Sequence, residues 1–143
     1  MMKHPSSMSD IKNSRMSSIH ASRTKIENLV LSFIWSHGIR YRRNNASLLG
    51  KPDMAIKKYK IALFVDSCFW HFCPIHRKLP KNNAEYWLAK LTKNFERDKL
   101  ITEHYEKLNW LVIRIWEHDL KEDFLPTMSA VLKKIQQKIS DTE

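Results

Sequence analysis

Lys51-Pro52-Asp53-Met54-Ala55-Ile56-Lys57-Lys58-Tyr59-Lys60-Ile61-Ala62-Leu63-Phe64-Val65-Asp66 decides the fold. Asp53 to Lys57 and Tyr59 to Asp66 read as two paired strands around a tight Lys57-Lys58 turn. In the second strand Ile61, Leu63 and Val65 alternate with Ala62, Phe64 and Asp66, so both of its faces are apolar until Asp66. The two strands are expected to pair, and the flanking sequence supplies helices to sandwich the sheet they begin. Upstream, Ile26, Leu29, Val30, Phe33, Ile34 and His37 recur at helical spacing from Thr24, and Gly38 supplies a stop. Ile39 to Arg43 reads as a short strand, followed by a loop bracketed by Asn44-Asn45 and Gly50-Lys51-Pro52.

Downstream, Cys68 to Pro80 is too irregular for a helix or strand and predicts a loop ordered by something other than packing. Asn83 to Leu108 predicts a long charged helix with Asn83 as N-cap, its apolar positions including Trp87, Leu88, Leu91, Phe95 and Ile101. Trp110 to Trp116 is a buried strand interrupted by Arg114, and Met128, Val131, Leu132, Ile135 and Ile139 mark a final helix after Pro126. The order helix, three strands, helix, strand, helix predicts an α/β fold, a mixed sheet flanked by helices. Residues 1–21, rich in Ser and carrying Lys3, Lys12, Arg15 and His20, predict a basic arm, with residues 22–143 as one domain.

The composition narrows the class. A chain of 143 residues with 43% hydrophobic residues, 5 Trp and only 2 Gly suits one folded domain rather than a disordered or fibrous protein. No apolar run approaches the roughly 20 residues of a membrane span, and the Met1 to Pro5 start lacks the apolar core of a signal peptide, so a cytoplasmic protein with no membrane partner is expected. The net charge of +10 calls for a polyanion, nucleic acid most simply, though an acidic membrane surface would match the same number.

Two constellations can do chemistry. Cys68, Cys73 and His76 have the spacing to wrap one metal ion from a single loop, and a strand ending at Trp116 beside the one ending at Asp66 would bring His118 as the fourth ligand. Such a closed site is structural; the alternative is that both cysteines are small core residues and the histidines incidental. Asp53, at the entry to the first hairpin strand, and Asp66, at the end of the second, have the placement of carboxylates that hold Mg²⁺ against a phosphate, although a solvated turn aspartate after Pro52 is the commoner use. His71 suits a general base, a donor to phosphate or a further metal ligand. Glu27 either completes a capping box with Thr24 or faces a site. Phe69 and Trp70 are either core or an exposed wedge between bases.

The string Cys68-Phe69-Trp70-His71, with Lys51-Pro52-Asp53 before it and Tyr86-Trp87, Lys93-Asn94, Glu96-Arg97-Asp98 and Trp116-Glu117 after it, resembles the very-short-patch repair (Vsr) endonucleases from about Ser14 to Leu120. The resemblance implies the αβββαβ core of restriction endonucleases and hydrolysis of the phosphodiester 5′ of the T in T:G mismatches left by deamination of 5-methylcytosine. It implies Mg²⁺ on Asp53 and the backbone carbonyl of Val65, with Asp66 near the attacking water, His71 as catalytic histidine and Glu27 supporting the metal-bound water. It further implies Phe69 and Trp70 as intercalating aromatics, an arm that clasps DNA through residues such as Lys12 and Arg15, and structural Zn²⁺ on Cys68, Cys73, His76 and His118. The loop before His76 is one residue longer than in some members of the family, and Ser67 stands where Gly is frequent. A monomer acting on double-stranded DNA in the bacterial nucleoid follows, with MutL and a cognate cytosine-5 methyltransferase system as associated partners. The other classes open to these residues are a related restriction-type endonuclease that cuts both strands and a zinc-stabilised DNA-binding module without catalysis.

Overall fold

A computed structural model describes residues 25–75 and 78–143. The basic arm with Lys12 and Arg15, Thr24 of the capping box, and His76 lie outside the described residues. Helix α1 covers residues 25–36 and is followed by strands β1 (Arg42–Arg43), β2 (Met54–Ile56) and β3 (Ile61–Asp66). Helix α2 (Ala84–Lys107), strand β4 (Leu111–Trp116), helix α3 (Glu117–Glu122) and helix α4 (Phe124–Thr142) complete the order. The sheet runs β1-β2-β3-β4, antiparallel across the first two pairs and parallel between β3 and β4. It is a mixed four-stranded sheet flanked by helices.

Period-two alternation in β3 divides the core. Ile61, Leu63 and Val65 pack with Met54, Ile56, Ile113 and Ile115 against Val30, Leu31 and Ile34 of α1 and Met128, Val131 and Ile135 of α4. Ala62 and Phe64 face the other way, onto Ile101 and Tyr105 of α2. All six β3 residues are buried, as a strand covered on both faces requires.

Several boundaries differ from the sequence expectation, each for a local reason. The expected strand at Ile39 to Arg43 pairs only through Arg42 and Arg43, because Ile39 drops into the core and Arg40 stacks on Trp35 at 3.9 Å. The Lys57-Lys58 turn is a turn of 3-10 helix, Lys57–Tyr59, closed by Lys60 at φ 55°. In α1 the buried stripe is Glu27, Val30, Leu31 and Ile34, while Leu29 is 52% exposed. Asn83 adopts φ 58° and offers no side-chain cap to α2; its carbonyl instead accepts the Trp87 N–H at 3.1 Å. Helix α4 starts two residues before Pro126, which is tolerated because the first four helical N–H groups have no intrahelical partner. The short α3 was not expected.

The loop between β1 and β2 is pinned to α2. Gly50 lies at φ 75° and passes so close to Ile101 that an added Cβ would meet its side chain at 2.8 Å. The Tyr105 hydroxyl donates to the Leu49 carbonyl. These contacts fix Pro52 and Asp53 where β2 begins.

Candidate active site and metal cluster

The parallel pairing of β3 with β4 decides what meets at the C-terminal end of the sheet. Asp66 pairs with Trp116, so the segments after both strands leave from the same end. Residues 67–73 turn back sharply: Ser67 O accepts His71 N–H at 3.1 Å and Cys68 O accepts Cys73 N–H at 3.0 Å. Phe72, buried within this turn, sits at φ 50°. A bulky residue is strained in that region and persists only where its surroundings hold it.

A cavity of about 770 Å³ opens over β3 between the β1–β2 loop and α2. Glu27, Asp53, Asp66, Trp70 and His71 all line it, together with Val65, Arg97 and Asp98. Three of the carboxylates are deeply placed: Glu27 is 8%, Asp53 5% and Asp66 3% exposed. Asp53 accepts the Val65 N–H through Oδ2 at 2.6 Å, which ties the start of β2 to the end of β3. A buried aspartate carboxylate lining this cavity has the chemistry of a ligand to a hard divalent cation.

His71 Nδ1 bonds the carboxylate of Asp98 from α2 and lies 3.7 Å from Asp66 Oδ1. Asp66 is held from the opposite side by Arg114, whose guanidinium reaches Oδ1 at 2.9 Å and Oδ2 at 3.1 Å. Arg114 is itself fixed by Thr102 Oγ1 at 2.6 Å, by the Asp98 carbonyl at 3.2 Å, and by the Phe64 ring 4.2 Å beneath it. Burial pushes the Asp66 carboxyl above the ordinary aspartate range; His71 and Arg114 oppose that shift, and Asp98 adds to it.

The second cluster is adjacent. Cys68 Sγ lies 3.4 Å and Cys73 Sγ 3.6 Å from His118 Nδ1, and one ligand atom from each of the three falls within 4.8 Å of the others. His118 stands in the first turn of α3, so this unexpected helix is what presents it. Its Nε2 lies 3.4 Å from Asp119 Oδ1, and the Cys68 N–H donates to Glu117 Oε1 at 3.2 Å. Two thiols and an imidazole at this separation fit a borderline or soft divalent metal, and a carboxylate behind the imidazole is the usual way such a ligand is oriented. Without metal, burial pushes the Cys68 thiol up to about 11, with His118 opposing the rise and Cys73 and Glu117 adding to it.

Phe69 and Trp70 are half-buried and pack on each other edge to face at 4.9 Å. Trp87 of α2 touches both, at 5.7 Å and 6.1 Å. The Trp70 carbonyl accepts from Asn94 Nδ2 at 3.2 Å. The geometry thus adds Trp87, Asn94, Asp98, Arg114 and Glu117 to the residues singled out from the sequence. Asn94, Asp98 and Glu117 were visible only as parts of a motif, and Trp87 also as an apolar position of the long helix. Arg114 carried a stronger signal, because a lone charge inside an apolar strand requires a buried counter-charge.

A mixed sheet with a cavity of buried carboxylates beside a Cys/His cluster is an architecture suited to metal-assisted chemistry, and the relatives of the chain define the class as DNA endonucleases. The profile of the DNA mismatch endonuclease Vsr family matches residues 8–77. The chain is 42% identical over 107 residues to the type II nicking enzyme V.NmeAIP of Neisseria meningitidis serogroup A, covering 74% of this chain and 76% of the relative. It is 33% identical over 138 residues to the type II nicking enzyme V.NaeI of Lentzea aerocolonigenes, covering 93% and 83%. It is 32% identical over 128 residues to the DNA mismatch endonuclease Vsr of Escherichia coli, covering 88% and 81%. The chain belongs to the Vsr endonuclease family, which carries the restriction-endonuclease-like fold.

Proposed function

We propose that this endonuclease is Mg²⁺-dependent and nicks one strand, 5′ of the T in T:G mismatches that arise from deamination of 5-methylcytosine. The observation that carries this reading is the convergence of Glu27, Asp53, Asp66 and His71 on one cavity. Asp53 and the Val65 carbonyl are the groups to hold Mg²⁺, which when bound supplies charge to polarise the scissile phosphate and steady the leaving oxygen. His71, oriented by Asp98 at Nδ1, presents its other ring nitrogen to take or steer a proton from the attacking water. Asp66 lies against the same ring, and Arg114 holds that carboxylate in place. Glu27 supports the water from the α1 side.

On the same reading Phe69 and Trp70 enter the base stack beside the mismatch, where unstacking is least costly. The arm with Lys12 and Arg15 clasps the duplex. Cys68, Cys73 and His118, with His76 as fourth ligand, hold a structural Zn²⁺ that fixes the aromatic loop. The protein acts as a monomer on chromosomal DNA in the nucleoid, in cells with a cytosine-5 methyltransferase system and with MutL as the repair partner. Among the described residues no helix is long and apolar enough to cross a membrane.

Incubation with Mg²⁺ and duplexes labelled on each strand in turn tests the reading. A nick confined to the T strand of the T:G duplex is expected. Cuts in both strands of matched DNA would replace it with a restriction-type activity, and binding without cleavage would reduce the protein to a zinc-stabilised DNA-binding module.

A further inference from the structure

A second concavity, of about 750 Å³, lies along the exposed edge of the sheet at β1. Among the described residues its lining includes Arg40, Arg42, Arg43 and Lys57 and no acidic residue. Arg43 and Asn44 line both this groove and the cavity that holds Asp53 and His71, so the two adjoin. The register strengthens the connection. Arg42 pairs with Ala55 and Ala55 with Ala62, which places Arg42 on the same sheet face as Ala62, Phe64 and Asp66.

The cations differ in how they are used. Arg40 is committed to Trp35, donating to its carbonyl at 3.0 Å and stacking on its ring. Arg43 donates to Asn28 Oδ1 at 2.6 Å. Arg42 and Lys57 are exposed, and among the described residues Lys57 makes only a 3.4 Å approach to the Ser47 hydroxyl.

We infer that this groove seats the sugar-phosphate backbone of the duplex on one flank of the cut site, with Arg42 and Lys57 each taking one phosphate. The inference rests on the reading that the Asp53 cavity is where the phosphodiester is cut. A chain of phosphates entering that cavity continues over a surface that is cationic, free of carboxylates among the described residues, and adjoins it at Arg43 and Asn44. Such contacts fix the register of the protein on DNA without reading bases.

The test combines Arg42→Gln with Lys57→Gln, both exposed and neither in the catalytic cavity. Binding of the metal-loaded protein is measured across salt concentrations, without added Mg²⁺, on matched DNA, on a T:G duplex, and on T:G duplexes shortened on either flank. Loss of two phosphate contacts should reduce the magnitude of the slope of log affinity against log salt by about 1.8, on matched and mismatched DNA alike. The difference from the wild type should disappear on the duplex shortened on one flank and persist on the other, with the thermal transition unchanged. A wild-type salt slope in the double variant, or a difference that persists on both shortened duplexes, would overturn the groove. Equal binding of matched and T:G duplexes by the wild type would overturn the mismatch reading instead, and the slope on matched DNA would still report on the groove.

Discussion

Replacing Arg114 by Met removes the guanidinium that holds Asp66 and stacks on Phe64, and leaves an uncharged side chain of similar length. The pair is asymmetric: the Asp66 side chain is 4% exposed and that of Arg114 19%, so the loss leaves a buried carboxylate without its cation. Stranding one member of a buried pair typically costs about 3–5 kcal/mol. His71 still faces Asp66 and the Arg114 head is partly wet, so the lower end, about 3 kcal/mol, is the expectation at neutral pH. The pH dependence has a definite sign. Asp66 in the folded protein already titrates above its ordinary value, so its contribution to stability is full below the unfolded pKa and is lost as pH rises through the folded one. Without Arg114 the folded value rises further and that loss deepens, so the stability gap between variant and wild type should widen with pH and narrow in acid, where the neutral acid needs no cation. Urea denaturation at pH 5 and pH 7.5, with Arg114→Met/Asp66→Asn as the compensated variant, measures it. A gap below about 1 kcal/mol that does not change with pH would refute the reasoning, as would a double variant no more stable than Arg114→Met at the higher pH.

The purified protein should carry about one zinc per chain, and Cys73→Ala should lose both the metal and folding stability, checked by elemental analysis and thermal denaturation. Because the Cys68 thiol is pushed up to about 11 in the metal-free site, binding must displace its proton, so apparent zinc affinity should rise by at least about tenfold per pH unit between pH 6.5 and 7.5 in a chelator competition. His71→Ala should slow nicking by on the order of 10²-fold or more, and Asp98→Asn should slow it with little change in duplex binding, read by single-turnover kinetics and equilibrium binding. Trp70→Ala should lower the ratio of mismatched to matched affinity while leaving the salt slope unchanged; a loss of about 3–5 kcal/mol of stability with an unchanged ratio would make Trp70 a core residue.

What was legible in the sequence follows from how local each signal is. The alternation in Ile61 to Asp66 and the apolar run at Trp110 to Trp116 announce two buried strands, because burial on both faces leaves a pattern in the residues themselves. The placement of His118 beside Cys68 was conditional on which strands pair, and the parallel register Asp66 to Trp116 satisfies that condition. The support around the candidate catalytic groups was illegible for the opposite reason. Asp98 meets His71 from 27 residues away, and Arg114 meets Asp66 from 48, contacts that exist only once β4 has paired with β3 and α2 has packed on the face that Arg114 and Asp66 share. Nor does any periodicity show that Asn83 leads into α2 in a left-handed conformation, since an Asn before a helix has the same appearance whether or not its side chain caps.

Asp53 is the residue on which the proposed chemistry depends most directly. Its Oδ2 accepts the Val65 N–H, and an asparagine oxygen can do the same, so Asp53→Asn should fold normally and keep the hairpin end in place. Single-turnover nicking of a T:G duplex in Mg²⁺, measured beside equilibrium binding of the same duplex, is the decisive comparison. Cleavage reduced to background with binding within a few-fold of wild type is the predicted result; Asp53→Asn nicking at the wild-type rate would contradict the assignment of this cavity as the place where DNA is cut.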